Sequence, residues 1–336
     1  MSIGPNAVAV ADQPPLLSYE GVREARHRIA GRVVQTPVVR SEELERVAGV
    51  RLWLKAENLQ RGGSFKIRGA LLAMDRLTGS GSLGVVAQST GNHGIAVALA
   101  AAQYRLPAVL VLPTDAAPTK VRRIRETGAE VLQAGTTLAE RIAVVEELRY
   151  TRGYDEIDPY QNPDVVVGQG TATADLLHQV EAADGRLDAV VVPVGGGSAV
   201  AGACLATAGQ GVDVYGAEPS AVPALTAALR AGGPVTVDAK PTMADGLRPD
   251  RIGQLPYDLV HDAVAEVFTI DESAIAEAMH QVLVHARLLV EPAAATALAG
   301  ALRLAADGRA RDIGVLISGG NVETSLVASL LNHQVS

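Results

Sequence analysis

The sequence predicts an α/β protein built from two doubly wound α/β domains. Three observations support this fold class. The chain has 336 residues, which is enough for two ordinary domains with buried cores. From residue 83 onward, short apolar segments typical of strands alternate with longer helical segments, as in parallel sheets covered by helices on both faces. Polar, glycine-containing loops follow several of these strands, and such folds bind their ligands in these loops.

The first run of alternating elements predicts a small domain over residues 84–161. Its strands are short and apolar, and its helices are rich in alanine or carry apolar residues at helical spacing. The predicted strands are 83–88, 107–112 and 129–133, and the predicted helices are Asn92–Tyr104, 119–127 and 137–152.

The second run joins the N-terminal segment in a large domain, predicted over residues 1–83 and 162–336. A segment rich in proline and aspartate, 155–164, separates the two runs. Helical signal over 271–306 is broken at Glu291 and Pro292, because proline stops a helix. The other predicted strands are 189–194, 212–218 and 313–317, and the other predicted helices are 70–77, 171–183, 199–208 and 322–333.

Composition and charge argue against several classes of function. The chain carries 29 basic and 37 acidic residues, and this net charge of -8 argues against a nucleic acid partner. One cysteine, Cys204, excludes a disulfide scaffold and a multi-thiolate metal site. The apolar runs fall well short of the roughly 20 residues that span a membrane, and residues 1–17 lack the pattern of a signal peptide. We therefore expect a cytoplasmic protein without membrane or nucleic acid partners.

A triple-glycine loop predicts a phosphate site. Gly195, Gly196, Gly197 and Ser198 lie between a predicted strand and a predicted helix, where backbone N–H groups and the helix N-terminus favour an anion. No Gly-Lys-Ser or Gly-Lys-Thr tripeptide of a P-loop is present, and Val200 breaks the dinucleotide-binding pattern. The loop therefore suits a compact phosphate monoester better than a nucleotide.

One of the four lysines follows an aromatic residue at the start of a helical segment. Lys66 adjoins Phe65, one of only two phenylalanines in the chain. Arginine cannot replace lysine where an amine must lose its proton and attack a carbonyl. An amine, a flat aromatic ring and a phosphate site together suit pyridoxal phosphate, whose aldehyde condenses with lysine.

Five segments together resemble the threonine/serine dehydratase and serine racemase family of pyridoxal-phosphate enzymes. They occur in the family's order over about residues 20 to 330, and they are 55–70, 89–94, 193–198, 291–292 and 318–322. The resemblance implies fold type II, which is similar to tryptophan synthase β, with the cofactor between the two domains. It also implies a homodimer.

The resemblance implies a role for each residue around the cofactor. Lys66 would hold the cofactor as a Schiff base and, once released, act as the base at the substrate α-carbon. Phe65 would lie against the pyridine ring, and Asn92 would hydrogen-bond the ring hydroxyl. Ser318 would face the ring nitrogen, or would instead cap the helix at Val322. The residues implied for cofactor binding are Phe65, Lys66, Asn92, Gly195, Gly196, Gly197, Ser198, Glu291 and Ser318.

The loop before the predicted helix Asn92–Tyr104 would take the substrate carboxylate, again by resemblance. Thr90 stands where racemases of the family carry serine and many dehydratases carry alanine, so it keeps a hydroxyl that could act on the substrate. The residues implied for substrate binding are Ser89, Thr90, Gly91, Asn92 and His93. Some family members bind a divalent cation through a glutamate corresponding to Glu218 and a nearby aspartate. Ala224 replaces that aspartate here, so we expect no metal ion.

These observations predict β-elimination of ammonia from a small L-hydroxyamino acid, L-threonine or L-serine, giving a 2-oxo acid. Two enzymatic alternatives remain open. One is a racemase in which Thr90 returns the proton to the other face of the α-carbon. The other is a dehydratase for a specialised substrate such as hydroxyaspartate, phenylserine or a hydroxyectoine-derived compound. A pyridoxal carrier without turnover is the alternative outside enzymes.

Overall fold

The structure, a computed structural model, describes residues 16–89, 91–116 and 118–333. The strands of these residues form two sheets. Their bounds are β1 Val38–Val39, β2 Arg51–Ala56, β3 Val85–Gln88, β4 Ala108–Leu112, β5 Glu130–Gln133, β6 Asp155–Glu156, β7 Ala189–Pro193, β8 Asp213–Pro219, β9 Val264–Ile270 and β10 Asp312–Ile317. The larger sheet has the order β1-β2-β10-β7-β8-β9, and the smaller sheet has the order β5-β4-β3-β6.

Helices cover both faces of the larger sheet. The α-helices of both parts of the described chain are α1 Tyr19–Ile29, α2 Glu42–Ala48, α3 Lys66–Ser80, α4 Asn92–Tyr104, α5 Pro118–Arg125, α6 Leu138–Arg152, α7 Pro163–Glu181, α8 Ser198–Thr207, α9 Ala224–Ala231, α10 Gln254–Val260, α11 Glu272–Ala286, α12 Pro292–Ala306 and α13 Thr324–His333. In the described part of the chain, no helix combines the length and the apolar character that a membrane span needs.

Alternate residues of the central strands enter two different cores. Val190 and Val192 of β7 pack in one apolar cluster with residues of α1, α3, α7 and α8, and that cluster continues into the smaller sheet. Val191 and Val315 point to the other face and pack with residues of α2, α11 and α12. Burial on both faces explains why these strands are apolar throughout. The predicted fold class is confirmed, whereas the domain boundaries 84–161 stay a prediction.

Parallel pairing brings distant parts of the sequence to one edge of the larger sheet. β10 lies between β2 and β7 and is parallel to both, with Ile317 opposite Ala56 and Val315 opposite Val191. β1 is antiparallel to β2, whereas β7, β8 and β9 are parallel neighbours. The segments that follow β2, β7 and β10 therefore begin side by side, at the edge where open α/β sheets bind ligands.

The prediction that α7 begins at residue 171 was wrong. The helix begins at Pro163, and the Asn162 side chain caps it by accepting a hydrogen bond from the Val165 N–H. Gly168 and Gly170 lie inside the helix, although glycine weakens a helix. The structure shows why they are there: a Cβ on Gly168 would lie 2.6 Å from the Cα of Gly69 in α3, and one on Gly170 would lie 2.6 Å from a carbonyl of α8. These glycines let three helices pack closely.

Candidate active site

Lys66 is the first residue of α3, and it is half-buried. Its Nζ donates a hydrogen bond to the Ser198 Oγ at 3.1 Å and lies 4.9 Å from the centre of the Phe65 ring. The Phe65 N–H donates to the Ser318 carbonyl at 2.9 Å, so the end of β10 holds the start of α3 in place. Burial lowers the pKa of Lys66 to about 8, and the charges of Asp158 and Glu291 oppose this shift.

The triple-glycine loop runs from the end of β7 to the start of α8. Gly197 has a φ of 102°, a conformation that side chains other than glycine rarely adopt. A Cβ on Gly196 would collide with the Tyr160 ring. No side chain caps α8, so the N–H groups of its first turn face the loop without a side-chain partner in the described residues. The Ser198 hydroxyl and these N–H groups form a site suited to an anion.

Pyridoxal phosphate fits this arrangement. The group needs a nucleophilic amine and a separate anion site close to it. Here the Lys66 amine hydrogen-bonds the residue that begins α8, so both requirements meet at Ser198. The site therefore joins two segments that lie far apart in the sequence.

A chain of hydrogen bonds connects Asn92, Glu291 and Asn321. The Asn92 Nδ2 donates to both carboxylate oxygens of Glu291, at 2.8 and 3.0 Å. The Asn321 Nδ2 donates to the Asn92 Oδ1 at 2.8 Å and to the Gly62 carbonyl at 2.8 Å. Burial raises the pKa of Glu291 to about 7, and the hydrogen bond from Asn92 opposes that shift. The network fixes Asn92 at the start of α4, and its predicted contact with the ring hydroxyl stays a prediction.

Ser318 is buried at the end of β10. Its carbonyl accepts the hydrogen bond from Phe65, and Ser64 and Gly319 form a bridge beside it. The alternative that Ser318 caps the last helix was wrong, because α13 begins at Thr324. Its predicted contact with the ring nitrogen stays a prediction.

The predicted substrate loop lies at the start of α4, and Thr90 lies outside the described residues. The Ser89 Oγ accepts a hydrogen bond from the Gly91 N–H at 3.2 Å, and no side chain of the described residues caps α4. His93 is buried, with its Nε2 2.7 Å from the Ile157 carbonyl. Burial and the charge of Lys66 lower the pKa of His93 to about 4, so its ring is neutral at neutral pH.

The sequence did not predict a role for Asp158 or Tyr160, because their segment, 155–164, has the composition of a linker between the two runs of elements. The Tyr160 ring lies against Gly196 and Gly253, where added Cβ atoms would contact it. The Asp158 Oδ1 accepts hydrogen bonds from the N–H groups of Tyr160 and Gln161, which holds its charge near Lys66. No short-range signal marks these residues, since only tertiary packing brings them to the site.

Glu218 caps a helix in this structure. It is fully buried, and its two carboxylate oxygens accept hydrogen bonds from the N–H groups of Leu225 and Thr226, both at 2.9 Å, in the first turn of α9. Burial raises the pKa of Glu218. Among residues 16–89, 91–116 and 118–333, no group of three or more His, Cys, Asp or Glu side chains could hold a metal ion.

The Lys66 amine and the triple-glycine loop lie together at the ligand-binding edge of a doubly wound sheet. This combination defines a pyridoxal-phosphate enzyme of fold type II. The family model "Pyridoxal-phosphate dependent enzyme" matches residues 29–319, so the chain belongs to this family and pyridoxal phosphate is its cofactor. The predicted family and cofactor are confirmed.

Three relatives illustrate the range of activities. L-threo-3-hydroxyaspartate ammonia-lyase of Saccharomyces cerevisiae is 34% identical over 318 residues, covering 94% of this chain and 96% of that protein. L-threonine ammonia-lyase of Thermotoga maritima is 33% identical, covering 94% of this chain and 79% of that protein. The crystal structure of serine racemase from Dictyostelium discoideum has a TM-score of 0.86 and 33% identity, covering 92% of this chain and all of that one. The family setting is therefore that of ammonia-lyases and amino-acid racemases.

Proposed function

We propose that this enzyme is an ammonia-lyase that converts a small L-β-hydroxy-α-amino acid to a 2-oxo acid and ammonia. L-Threonine and L-serine are the substrates expected from the sequence. L-threo-3-hydroxyaspartate is the second candidate, because ammonia-lyases of that name in Saccharomyces cerevisiae and a Pseudomonas species are 34% and 36% identical to the chain. The observation that carries the proposal is the hydrogen bond from the half-buried Lys66 amine to the Ser198 hydroxyl, at the start of α8.

Lys66 has the properties of a base that acts near neutral pH. Its lowered pKa, about 8, leaves a substantial fraction of the amine neutral and able to take the proton from the substrate α-carbon. The Ser198 hydroxyl accepts the hydrogen bond that orients this amine. When bound, pyridoxal phosphate supplies an electron sink for the pair left by that proton.

The β-carbon–oxygen bond then breaks, and the hydroxyl takes up a proton and leaves as water. The resulting enamine tautomerises, and water hydrolyses it to the 2-oxo acid and ammonia. We place the substrate carboxylate at the N-terminus of α4, where Ser89, Gly91 and His93 lie. A neutral His93 suits this position, because it adds no charge that would hold the product.

Purified holoenzyme incubated with L-threonine, L-serine and L-threo-3-hydroxyaspartate tests the proposal. We expect ammonia and 2-oxo acid in equal amounts from at least one of them. D-Serine formed from L-serine without oxo acid would favour the racemase alternative instead. A yellow protein that turns over none of these compounds would overturn the proposal and favour a pyridoxal carrier.

A pair of lysine variants separates the role of Lys66 from a general effect of losing a charge. Lys66→Ala removes the proposed base, so turnover should fall below detection. Lys240→Ala is the matched control, since Lys240 is exposed and its ion pair with Asp238 is exposed as well. It should retain full turnover. Equal activity of the two variants would contradict the role given to Lys66.

We also propose a homodimer, as the family resemblance implies. Light scattering of the purified protein gives the molar mass directly. A mass near twice 34.7 kDa supports the dimer, and a mass near that of one chain contradicts it. We propose a cytoplasmic location on the same family basis.

A further inference from the structure

Arg123 reaches the candidate active site from the smaller sheet's half of the molecule. It lies on α5, which precedes β5. Its guanidinium donates a hydrogen bond at 2.7 Å to the Oδ1 of Asn321, a residue 198 positions later in the chain. Asn321 in turn hydrogen-bonds Asn92 and the Gly62 carbonyl. Arg123 is therefore two hydrogen bonds from the start of α4.

The charge of Arg123 has only a neutral partner among the described residues. Asn321 offers an amide oxygen, and no carboxylate of the described residues forms an ion pair with Arg123. Its neighbour Arg122 instead pairs with Glu126, the residue directly after α5, at 3.7 Å. A guanidinium carries five N–H donors in a planar fork that matches a carboxylate. Arg123 is exposed, so the other N–H groups of its guanidinium are available to bind a carboxylate.

We propose that Arg123 determines specificity by binding a second carboxylate, the one carried on the substrate's β-carbon. This inference rests on the proposed function, and it deepens that function by naming the substrate class as β-hydroxy dicarboxylic amino acids. We place the α-carboxylate at the N-terminus of α4, whose N-cap residue, Gly91, has no side chain. Asn321 hydrogen-bonds both Arg123 and Asn92, the first residue of α4, so it links the guanidinium to that terminus.

Binding of unreactive analogues tests Arg123 without relying on turnover. L-Aspartate and L-alanine both have the α-amino and α-carboxyl groups but no β-hydroxyl, and only L-aspartate has the second carboxylate. Each is titrated into the holoenzyme while the absorbance of the bound cofactor is followed. We expect Arg123→Gln to raise the Kd for L-aspartate about 10- to 100-fold more than the Kd for L-alanine, the size of a lost charge-assisted hydrogen bond. Arg123→Lys should fall between, because lysine keeps the charge without the fork.

Arg122→Gln is the matched control, since it removes the same charge from the same helix without touching Asn321. We expect it to shift the two Kd values by less than about twofold. Circular dichroism confirms that each variant is folded. If Arg123→Gln raises both Kd values equally, or changes neither, Arg123 does not select the second carboxylate and the inference is overturned.

These experiments distinguish a failure of the role given to Arg123 from a failure of the proposed lyase activity. Ammonia release from L-serine or L-threonine, with an unchanged preference between L-aspartate and L-alanine in Arg123→Gln, would uphold the lyase and overturn the role of Arg123. If Arg123→Gln selectively loses L-aspartate binding but the wild type releases no ammonia, the role of Arg123 is upheld and the lyase activity is overturned. In the wild type, we expect kcat/KM for L-threo-3-hydroxyaspartate to exceed that for L-serine. In Arg123→Gln, the ratio of the two should fall about 10-fold or more.

Discussion

The Lys66 amine lies in surroundings that favour its neutral form. Burial is the largest influence on its pKa, and it outweighs the attraction of the nearby Asp158 and Glu291 charges. Lys240, by comparison, is exposed and paired with Asp238. A single fold therefore gives two lysines different chemistry, and only one of them is suited to act as a nucleophile near neutral pH.

The rate at which the apoenzyme reattaches its cofactor should follow the ionisation of Lys66. Only the neutral amine attacks an aldehyde, so each pH unit below about 8 should slow attachment about tenfold, with a plateau above about 9. The visible absorbance of attached cofactor, followed after mixing at several pH values, measures this rate. A rate that continues to rise beyond pH 10 would show that Lys66 titrates like an ordinary exposed lysine.

Gly196→Ala should weaken cofactor binding, because the new Cβ would collide with the Tyr160 ring and displace the loop before α8. We expect the Kd for pyridoxal phosphate to rise about 10-fold or more, a change of roughly 1.4 kcal/mol. Gly79→Ala is the control. It lies in α3 with open space around the added Cβ, and alanine favours a helix there. Equal cofactor affinity in the two variants would mean that the Tyr160 contact does not shape the loop.

At the scale of the element, a buried ionic cluster holds α3, which carries Lys66. The Arg68 guanidinium donates to both carboxylate oxygens of Glu57, at 2.8 and 2.9 Å, and forms an ion pair with Asp175 of α7 at 2.9 Å. Lys55 of β2 is fully buried beside them, and burial lowers its pKa to about 8. These groups tie α3 to β2 and α7, so they position the first turn of the helix.

Arg68→Met should destabilise the protein strongly. The substitution leaves the Glu57 and Asp175 carboxylates buried without their main partner, and breaking a buried pair in this way costs about 3–5 kcal/mol. Urea denaturation of the apoenzyme measures the loss. Arg23→Met is the control, since Arg23 and Glu20 are both 54% exposed, and its effect should stay within about 0.5 kcal/mol. A loss for Arg68→Met no larger than that of the control would contradict a structural role for the cluster.

Local pattern predicted most of the helices and strands from residue 83 onward, since their apolar periodicity follows from their burial. It missed β2 and β9. The charged Lys55 obscures β2, although hydrogen bonds to the Thr36 carbonyl and to the Gln179 Oε1 satisfy its amine. β9 lies at the edge of its sheet and is only partly buried, so its apolar signal is weak. Elements whose burial depends on distant partners cannot be recognised from their own composition.

The residues of the candidate site also fall into those that the sequence could predict and those that it could not. Lys66 and the triple-glycine loop carry recognisable chemistry, so both could be predicted. Asp158 and Arg123 could not be, because their importance comes from contacts between segments far apart in the chain, such as the 198 positions that separate Arg123 from Asn321. Parallel strands make such contacts common, since each crossover returns the chain to the same edge of the sheet.

At the scale of the whole molecule, the cofactor site joins the two sheets. Lys66, Ser198 and Glu291 belong to the part built on the larger sheet, whereas Asn92 begins the helix after β3 of the smaller sheet. The Asn92–Glu291 and Asn92–Asn321 hydrogen bonds cross between the two parts. A ligand held at this junction contacts both parts at once, so its binding energy also stabilises their relative arrangement.

Removing the cofactor should therefore lower the stability of the whole chain and loosen the site on both sides. A ligand present at 100 times its Kd stabilises the folded state by about 2.7 kcal/mol, which corresponds to a rise in Tm of roughly 4 °C in a chain of this size. Calorimetry of holoenzyme and apoenzyme measures that difference. Hydrogen exchange locates it: amides in the first turns of α4 and α8 should exchange faster in the apoenzyme, whereas those of α11, which packs in the core on the opposite face of the larger sheet, should not change. Faster exchange confined to α8, with α4 unaffected, would mean that the cofactor is held by the larger sheet's half alone and does not join the two parts.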